Sequence, residues 1–141
     1  MFYHQRLDVP ETPAALSEEY LRELADLVDR VGRDRSESET SLDADAIETV
    51  EAGEDPGLSL EAAAELAALA SDEPDAETIV LEACEHLLLG MSTAVLDVET
   101  LAGEVALDLD PKEIQQKVER RAPMTFAEYV HFQHAIAERA P

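Results

Sequence analysis

The sequence predicts an all-α protein, and three observations support that prediction. Apolar residues recur at three- and four-residue steps, no segment alternates apolar and polar residues, and Pro or Gly separates the apolar runs. Hydrophobic residues make up 45% of the 141 residues, which is enough to form one packed core. We therefore expect a compact bundle of about seven or eight short helices with no sheet.

The N-terminal part of the chain predicts an arm followed by one long helix. Residues 1–16 contain two prolines and show no periodicity, so we expect an arm there. Apolar residues then recur on one face between Ser17 and Gly32, which predicts the first helix. The next stretch, 33–41, has almost nothing apolar to bury, so any helix in it should be weak.

Two short helices are predicted in residues 42–70. The first ends at Gly53, and a turn with two acidic residues, Pro and Gly follows it. Ser59 is a favoured N-cap for the Ala/Leu-rich second helix, which ends near Ala70. Together with the preceding helix, these residues form the first of two similar regions, 17–70, and residues 97–141 form the other.

The central segment, residues 71–96, carries the most apolar helix. An acidic turn at Pro74 breaks the chain and caps a helix over 75–89, and Gly90 is expected to end it. Apolar residues cover most sides of this helix, which is typical of a buried element. We therefore predict that it lies at the centre of the fold and leads into a short connector.

The C-terminal segment, residues 97–141, is predicted to contain three helices. The first covers 97–105, and the second runs from Pro111 to Arg120, since Pro is favoured at the first helical position. Thr125 and Glu128 have the spacing of a capping box, which opens the last helix. We expect all these segments to share one core.

The chain is strongly acidic, with 33 Asp and Glu against 10 Lys and Arg and a net charge of −23. The acids are interleaved with apolar residues, so they form no acidic tail, and no D-x-D-x-D-G calcium loop occurs. Only two of the basic residues are lysines. Such a surface repels itself in dilute buffer, whereas salt at about 1 M shortens the screening length to about 3 Å. We interpret the composition as adaptation to a salt-accumulating cytoplasm.

The remaining composition argues for an intracellular location. Cys84 stands alone, so no disulfide can form within the chain, and we expect a buried, unreactive thiol in a reducing compartment. The N-terminal residues lack the pattern of a signal peptide, and no apolar run is long enough to span a bilayer. The predicted protein is cytoplasmic and makes no membrane contact.

No catalytic pattern is present in the sequence. A P-loop, a dinucleotide glycine pattern, a nucleophile elbow and an H-E-x-x-H motif are all missing. His131 and His134, with Glu128 one turn before, have a spacing that can hold a metal ion, and His86 is a speculative fourth ligand. Ordinary hydrogen-bonded histidines explain the same residues, and the few aromatics supply a substrate pocket poorly. We therefore predict a non-enzyme without a metal, a cofactor or a small-molecule substrate.

Residues 42–70 and 109–137 share a pattern. Each stretch has Leu-Asp, a short helix with Val-Glu near its end, a turn with Pro, a Ser or Thr cap and a closing amphipathic helix. The match requires a gap inside or just after the short helix. This arrangement resembles the lambda-repressor-like helix-turn-helix, in which a short recognition helix ends at a Glu-x-Gly turn. Val50 to Gly53 match that turn, and Leu101 to Val105 match the helix before the recognition helix.

Both copies depart from the helix-turn-helix pattern. In the second copy Val118-Glu119-Arg120-Arg121 stands in place of the glycine turn, and the loop 106–110 is longer than in the family. The first copy lacks a convincing helix before its recognition helix. The chain as a whole, notably HLLLGMSTAVLDVETLA and RAPMTFAEYVHFQHAIA, resembles a family of small haloarchaeal proteins of unknown function. That resemblance agrees with the salt interpretation and implies no activity.

The second short helix is the candidate DNA-binding element. Ile114 and Val118 define its buried face, and residues 110–121 hold four basic residues, including both lysines, against three acidic ones. Lys and Arg can contact phosphates, and Gln and Arg can read base edges in the major groove of double-stranded DNA. The predicted contact residues are Lys112, Gln115, Gln116, Lys117, Arg120 and Arg121.

The first short helix favours a different role. Asp45 and Glu48 face outward, where they would repel phosphates, so this copy fits packing or dimerisation. The basic helix can also simply pair its cations with Glu113 and Glu119, and multimolar salt weakens phosphate contacts. We therefore expect a DNA-associated or regulatory protein first. The alternative is a protein–protein interaction module that docks a partner helix, or a second copy, on the Ala/Leu surfaces of residues 59–70.

Overall fold

Eight helices and one isolated backbone bridge make up the secondary structure of residues 1–139, the part of the chain that the computed structural model describes. The helices, in chain order, are α1 (Pro13–Val31), α2 (Arg33–Ser38), α3 (Ala44–Glu51), α4 (Leu60–Ala67), α5 (Ala76–Thr93), α6 (Val98–Glu104), α7 (Pro111–Val118) and α8 (Phe126–Arg139). No strand occurs within these residues. The prediction of an all-α bundle is confirmed.

Side-chain caps determine where most of the helices begin. The Ser59 side chain accepts a hydrogen bond from the backbone N–H of Ala62 and so opens α4 as predicted. Thr125 and Glu128 form the predicted capping box: the backbone N–H of each donates to the side chain of the other, at 2.9 and 3.0 Å. Both signals are local in sequence, which is why the pattern alone identified them.

The first helix begins earlier than the sequence pattern suggested. Thr12 accepts a hydrogen bond from the backbone N–H of Ala15, and Pro13 occupies the first helical position. Residues 13–16, the last part of the predicted arm 1–16, therefore belong to α1, which begins at Pro13 and not at Ser17. A Thr-Pro pair is itself a start signal, whereas the apolar periodicity that predicts the helix begins only after it.

The rest of the arm packs into the core. Phe2 and Tyr3 are at most 1% exposed, and the Phe2 ring stands edge-on to the rings of Tyr20, Phe126 and Tyr129. Side chains of α8 also hold the arm backbone, since Tyr129 donates from its hydroxyl to the Phe2 carbonyl at 2.7 Å. The start of the arm is thus part of the aromatic core and not a free extension.

The polar stretch after α1 forms a helix that the sequence pattern predicted only weakly. Ser36 is buried in α2, and its hydroxyl donates to the Gly32 carbonyl at 2.8 Å. Arg33 forms an ion pair with Glu51, which connects α2 to α3. Polar contacts stabilise this helix, so a pattern of apolar residues could not reveal it.

Gly90 does not end α5, contrary to the prediction. The helix continues to Thr93, and a Cβ atom at Gly90 would lie 2.7 Å from Cγ2 of Ile136 on α8. Glycine therefore allows α5 and α8 to approach closely, which is a tertiary requirement. The burial of α5 also differs from the prediction, because only one of its faces lies in the core, while Leu88 and Leu89 are exposed.

Residues 42–70 and 109–137, here called the first unit and the second unit, are helix–loop–helix pairs joined at their closing helices. Ser59 and Thr125 form an antiparallel bridge. In it the Leu60 N–H donates to the Met124 carbonyl and the Phe126 N–H donates to the Leu58 carbonyl, both at 2.8 Å. The opening helices α3 and α7 each have 8 residues, so the gap in the repeat lies in the loop after them.

No single helix in residues 1–139 has the length and apolar composition to cross a membrane. Helices α5 and α6 meet those criteria only when taken together, and they are bent by 98° relative to each other.

Candidate functional site

Helix α7 carries the residues that the sequence predicted to contact DNA. Ile114 and Val118 are buried, as expected, and they direct the remaining side chains toward the surface. Asp110 caps the helix and forms a capping box with Glu113. Two carboxylates therefore lie at the N-terminal end of α7, the end at which a recognition helix contacts base edges.

Lys117 is part of the folded framework. Its ammonium group donates to the Pro123 carbonyl and to Oε1 of Glu128, both at 2.9 Å, and the Lys117 and Glu128 side chains are each 16% exposed. The same carboxylate oxygen accepts the backbone N–H of Thr125. Lys117 thus connects the end of α7 to the capping box of α8.

Gln115 and Arg121 share one carboxylate. The Gln115 amide donates to Oε2 of Glu119 at 3.3 Å, and the Arg121 guanidinium donates to Oε1. These two contacts, the Gln115 hydrogen bond first, lower the pKa of Glu119. All three side chains are exposed, so the pairing is weak, but it occupies two of the predicted DNA contacts.

The other three predicted residues have no side-chain partner in the described chain. Lys112 and Gln116 lie one turn apart on the outer side of α7, and Arg120 follows one turn later, just beyond the end of the helix. Lys112 and Arg120 are exposed and Gln116 is half-buried. The predicted set is thus divided into a structural lysine, a pair around Glu119 and a line of three unpaired side chains.

Arg120 occupies a backbone position that usually belongs to glycine. Helix α7 ends in a Schellman motif, in which the Arg120 N–H donates to the Lys117 carbonyl and the Arg121 N–H donates to the Gln116 carbonyl. Arg120 has a φ of 62°, in the left-handed region. Helix α3 ends with the same motif, and there Gly53 takes the equivalent place with a φ of 83°.

A groove lies between α4, α5 and the loop that follows α7, and we call it the α4–α5 groove. It has two adjoining parts of about 340 and 520 Å³, and Arg120 lines both. Its floor is apolar and is formed by Leu60, Val80, Cys84 and Met124. Lys117 and Arg121 line only the smaller part, and Glu65 and Glu77 line only the larger part. Arg120 and Glu61 line both parts.

Cys84 is a floor residue of this groove and not a nucleophile. It is 3% exposed, and burial raises the pKa of its thiol to about 11, while the nearby positive charge of Arg120 acts in the opposite direction. A thiol with that pKa is protonated at neutral pH and reacts slowly.

The exposed large apolar residues are concentrated on one helix. In residues 1–139 the exposed large hydrophobics are Leu7, Leu81, Leu88, Leu89 and Val95. All except Leu7 lie on α5 or on the turn that ends it. We call these four residues the α5 strip. Val95 is 88% exposed and has a φ of 52°, which is an unusual conformation for a β-branched residue.

The Ala/Leu surfaces of residues 59–70 are not available to a partner helix. Leu60, Leu66 and four alanines between Ala62 and Ala67 are buried against the rest of the fold. The predicted docking surface is therefore wrong, because α4 uses those residues to pack against α1, α5 and α8. The exposed apolar surface belongs to α5 instead.

A family model matches residues 16–139, and it describes a family of unknown function (DUF5791). The chain belongs to this family. No curated protein and no solved structure matches the chain. The DUF5791 region covers both units, the α4–α5 groove and the α5 strip, whereas Phe2 and Tyr3 of the arm lie before it.

The histidines of the DUF5791 region make backbone contacts. His86 Nδ1 lies 2.7 Å from the Tyr3 carbonyl, and His134 Nε2 lies 2.8 Å from the Pro10 carbonyl, so both hold the arm. His131 Nδ1 contacts the Ala127 carbonyl of its own helix. In residues 1–139 no group of three or more His, Cys, Asp or Glu side chains has the arrangement of a metal site.

Proposed function

We propose that this protein is an interaction module that binds a partner protein through the α5 strip. One observation carries the proposal: four of the five exposed large apolar side chains lie on α5 or its terminal turn, in a chain with a net charge of −23. Single exposed apolar residues are ordinary, whereas a concentration of them on one element is typical of a contact surface.

The shape of the strip favours an amphipathic helix as the partner element. From Leu81 to Val95 it extends about 21 Å at the helical rise per residue, yet it is only one or two side chains wide. A standard interface buries about 800 Å² on each partner, which is more than so narrow a strip supplies. A single helix that presents its apolar face along α5 fits these dimensions.

Val95 supports the proposal through its backbone. A residue in a disfavoured backbone region costs about 1–3 kcal/mol, and glycine at this turn would avoid most of that cost. The side chain contacts little in the folded chain, since it is 88% exposed. An apolar side chain that is held at such a cost and faces solvent is better explained by a contact with another molecule.

The acidic surface is compatible with this mode of binding. We propose that it adapts the chain to a cytoplasm rich in salt, where screening removes most long-range attraction between charges. Apolar contacts are not screened in this way, because they depend on the removal of apolar surface from water. A partner is therefore recognised better by Leu88, Leu89 and Val95 than by the net charge.

The test compares two variants at multimolar KCl. Leu88→Ser with Val95→Ser alters the strip, while Leu7→Ser removes an exposed apolar residue outside it. Wild-type protein and the Leu7 variant are expected to retain one defined partner after nuclease treatment, and the strip variant is expected to lose it. Binding of the purified partner should weaken at least about tenfold, with unchanged helicity. Equal binding by the strip variant would overturn the proposal.

DNA association is the second candidate, and the line of Lys112, Gln116 and Arg120 favours it. These side chains have no side-chain partner in residues 1–139; Lys112 and Gln116 lie one turn apart on α7, and Arg120 follows the helix at its terminal turn. Two cations give a salt dependence with a slope of only about −1.8 in log binding constant against log salt, so base contacts would have to supply most of the affinity.

The DNA candidate is tested by Lys112→Glu combined with Arg120→Glu, with Lys117 left intact because it holds the fold. This variant is expected to lose DNA retention at high KCl while it keeps its helicity. If repeated selection from random duplexes enriches no sequence, the DNA candidate is wrong.

A further inference from the structure

The α4–α5 groove has the features of a second binding surface, adjacent to the α5 strip: Cys84 of its floor lies four residues before Leu88, but no residue of the strip lines the groove. Arg120 lines both parts of the groove, is exposed, and forms no ion pair within the described residues. Its charge is close enough to the groove floor to act on the pKa of the Cys84 thiol. A guanidinium in this position is available to a ligand that enters the groove.

The comparison of the two units indicates that arginine is not needed for the turn itself. Gly53 forms the same Schellman motif in the first unit, and a Cβ atom there would meet nothing within 4 Å. Glycine at position 120 would make the same backbone hydrogen bonds with less strain. The backbone therefore does not require the side chain of Arg120, and its position in the groove offers an explanation for it.

The charges along the groove indicate what can occupy it. Arg121 lines one part, Glu65 and Glu77 line the other, and Arg120, Glu61 and the apolar Val80 line both. Nucleic acid and anionic lipid would both meet the carboxylates of the second part. A peptide segment that carries a carboxylate, then apolar side chains, then a basic residue would be complementary to the whole length.

We infer that the α4–α5 groove binds such a segment of a partner protein, with its carboxylate paired to Arg120 and its apolar side chains on Val80 and Cys84. The inference rests on the proposed function, since the segment belongs to a protein, but it uses another surface. A guanidinium–carboxylate pair with two short hydrogen bonds acts at contact distance and so persists in salt that screens distant charges.

The experiment selects from a random peptide library on the full-length chain at multimolar KCl. Enriched peptides are expected to contain Asp or Glu beside apolar residues, and fluorescence anisotropy then measures their affinity. Arg120→Gly should weaken binding about tenfold, Arg120→Lys should lose less, and the Leu88→Ser, Val95→Ser variant should bind the peptide normally. That last variant distinguishes the two proposals, because neither Leu88 nor Val95 lines the groove. The α5 strip proposal can therefore fail without any effect on peptide binding to the groove.

A second measurement tests whether Arg120 pairs with the acidic residue of the peptide. Replacement of the acidic residue of the peptide by its amide should weaken binding to the wild-type chain about tenfold and should have little further effect on Arg120→Gly. Arg120→Gly removes the backbone strain of an arginine in the left-handed region, so this variant is expected to fold at least as well as the wild type. Enriched peptides without an acidic residue, or equal affinity for the wild type and Arg120→Gly, would overturn the inference.

Discussion

The first and second units share a backbone plan and differ in charge. Residues 42–70 contain eight carboxylates and no Lys or Arg, whereas residues 109–137 contain four carboxylates and four Lys or Arg. Each unit nevertheless has an Asp-capped helix of 8 residues, a Schellman turn and a bridged cap before its closing helix. The cations of the second unit are therefore not required by the plan, and each needs an explanation of its own.

Removal of salt should produce the largest difference between the units. On transfer from multimolar KCl to dilute buffer, we expect the chain to lose its helicity, because the carboxylates are no longer screened. As KCl is lowered, the backbone amides of the first unit should begin to exchange with deuterium at a higher salt concentration than those of the second unit. The reason is that, in the described chain, Arg33 is the only cation that pairs with a carboxylate of the first unit. A circular-dichroism signal that is unchanged near zero salt would contradict this expectation.

The aromatic core should make the second unit more sensitive to truncation at the bridge. Leu60 and Phe126 occupy equivalent positions after the bridged residues and are both buried. Phe126→Ala should lower the free energy of unfolding by about 4 kcal/mol and Leu60→Ala by about 3 kcal/mol. The larger loss of unfolding free energy for Phe126→Ala reflects the lost contacts of Phe126 with the Phe2 and Tyr20 rings. Urea denaturation at constant KCl measures both values, and a reversed order would contradict the explanation.

The two lysines of the second unit provide a matched pair. Lys117→Met removes a cation that is 16% exposed and paired with Glu128, and it should lower the free energy of unfolding by about 1–2 kcal/mol. Lys112→Met removes the same charge from an exposed site and should change it by less than about 0.5 kcal/mol. Thermal denaturation of both variants separates them. Equal effects of the two substitutions would mean that Lys117 stabilises the fold through its charge alone and not through its contact with Glu128.

The sequence predicted the features that depend on neighbours along the chain. The cap at Ser59 and the capping box of Thr125 and Glu128 require residues only three positions apart, and the buried pair Ile114 and Val118 requires only helical periodicity. The missing glycine of the second turn was also identified, because it is a departure from a repeat. These signals were sufficient for the helices and for the location of the basic residues.

The features that the sequence did not reveal depend on contacts between distant elements. Gly90 is explained by Ile136, and the arm is explained by the aromatic side chains that surround Phe2. Lys117 was assigned to DNA because its partner, Glu128, lies on another helix. The groove itself could not be predicted, since its apolar floor and its charged side chains both come from α4, α5 and the loop after α7.

The smallest expected effect concerns the Schellman turns of the two units and separates strain from function. Arg120→Gly should raise the free energy of unfolding by about 1 kcal/mol, and Gly53→Arg should lower it by about the same amount. The second change costs only backbone conformation, because a Cβ at Gly53 meets nothing within 4 Å. The double exchange therefore keeps stability and net charge near the wild-type values while it moves the guanidinium from the α4–α5 groove to the first unit. If that protein folds normally and no longer binds the selected peptides, the groove explains Arg120. If Arg120→Gly is destabilising instead, the arginine stabilises the fold through contacts of its own, and the strain at its φ of 62° is no evidence for a ligand.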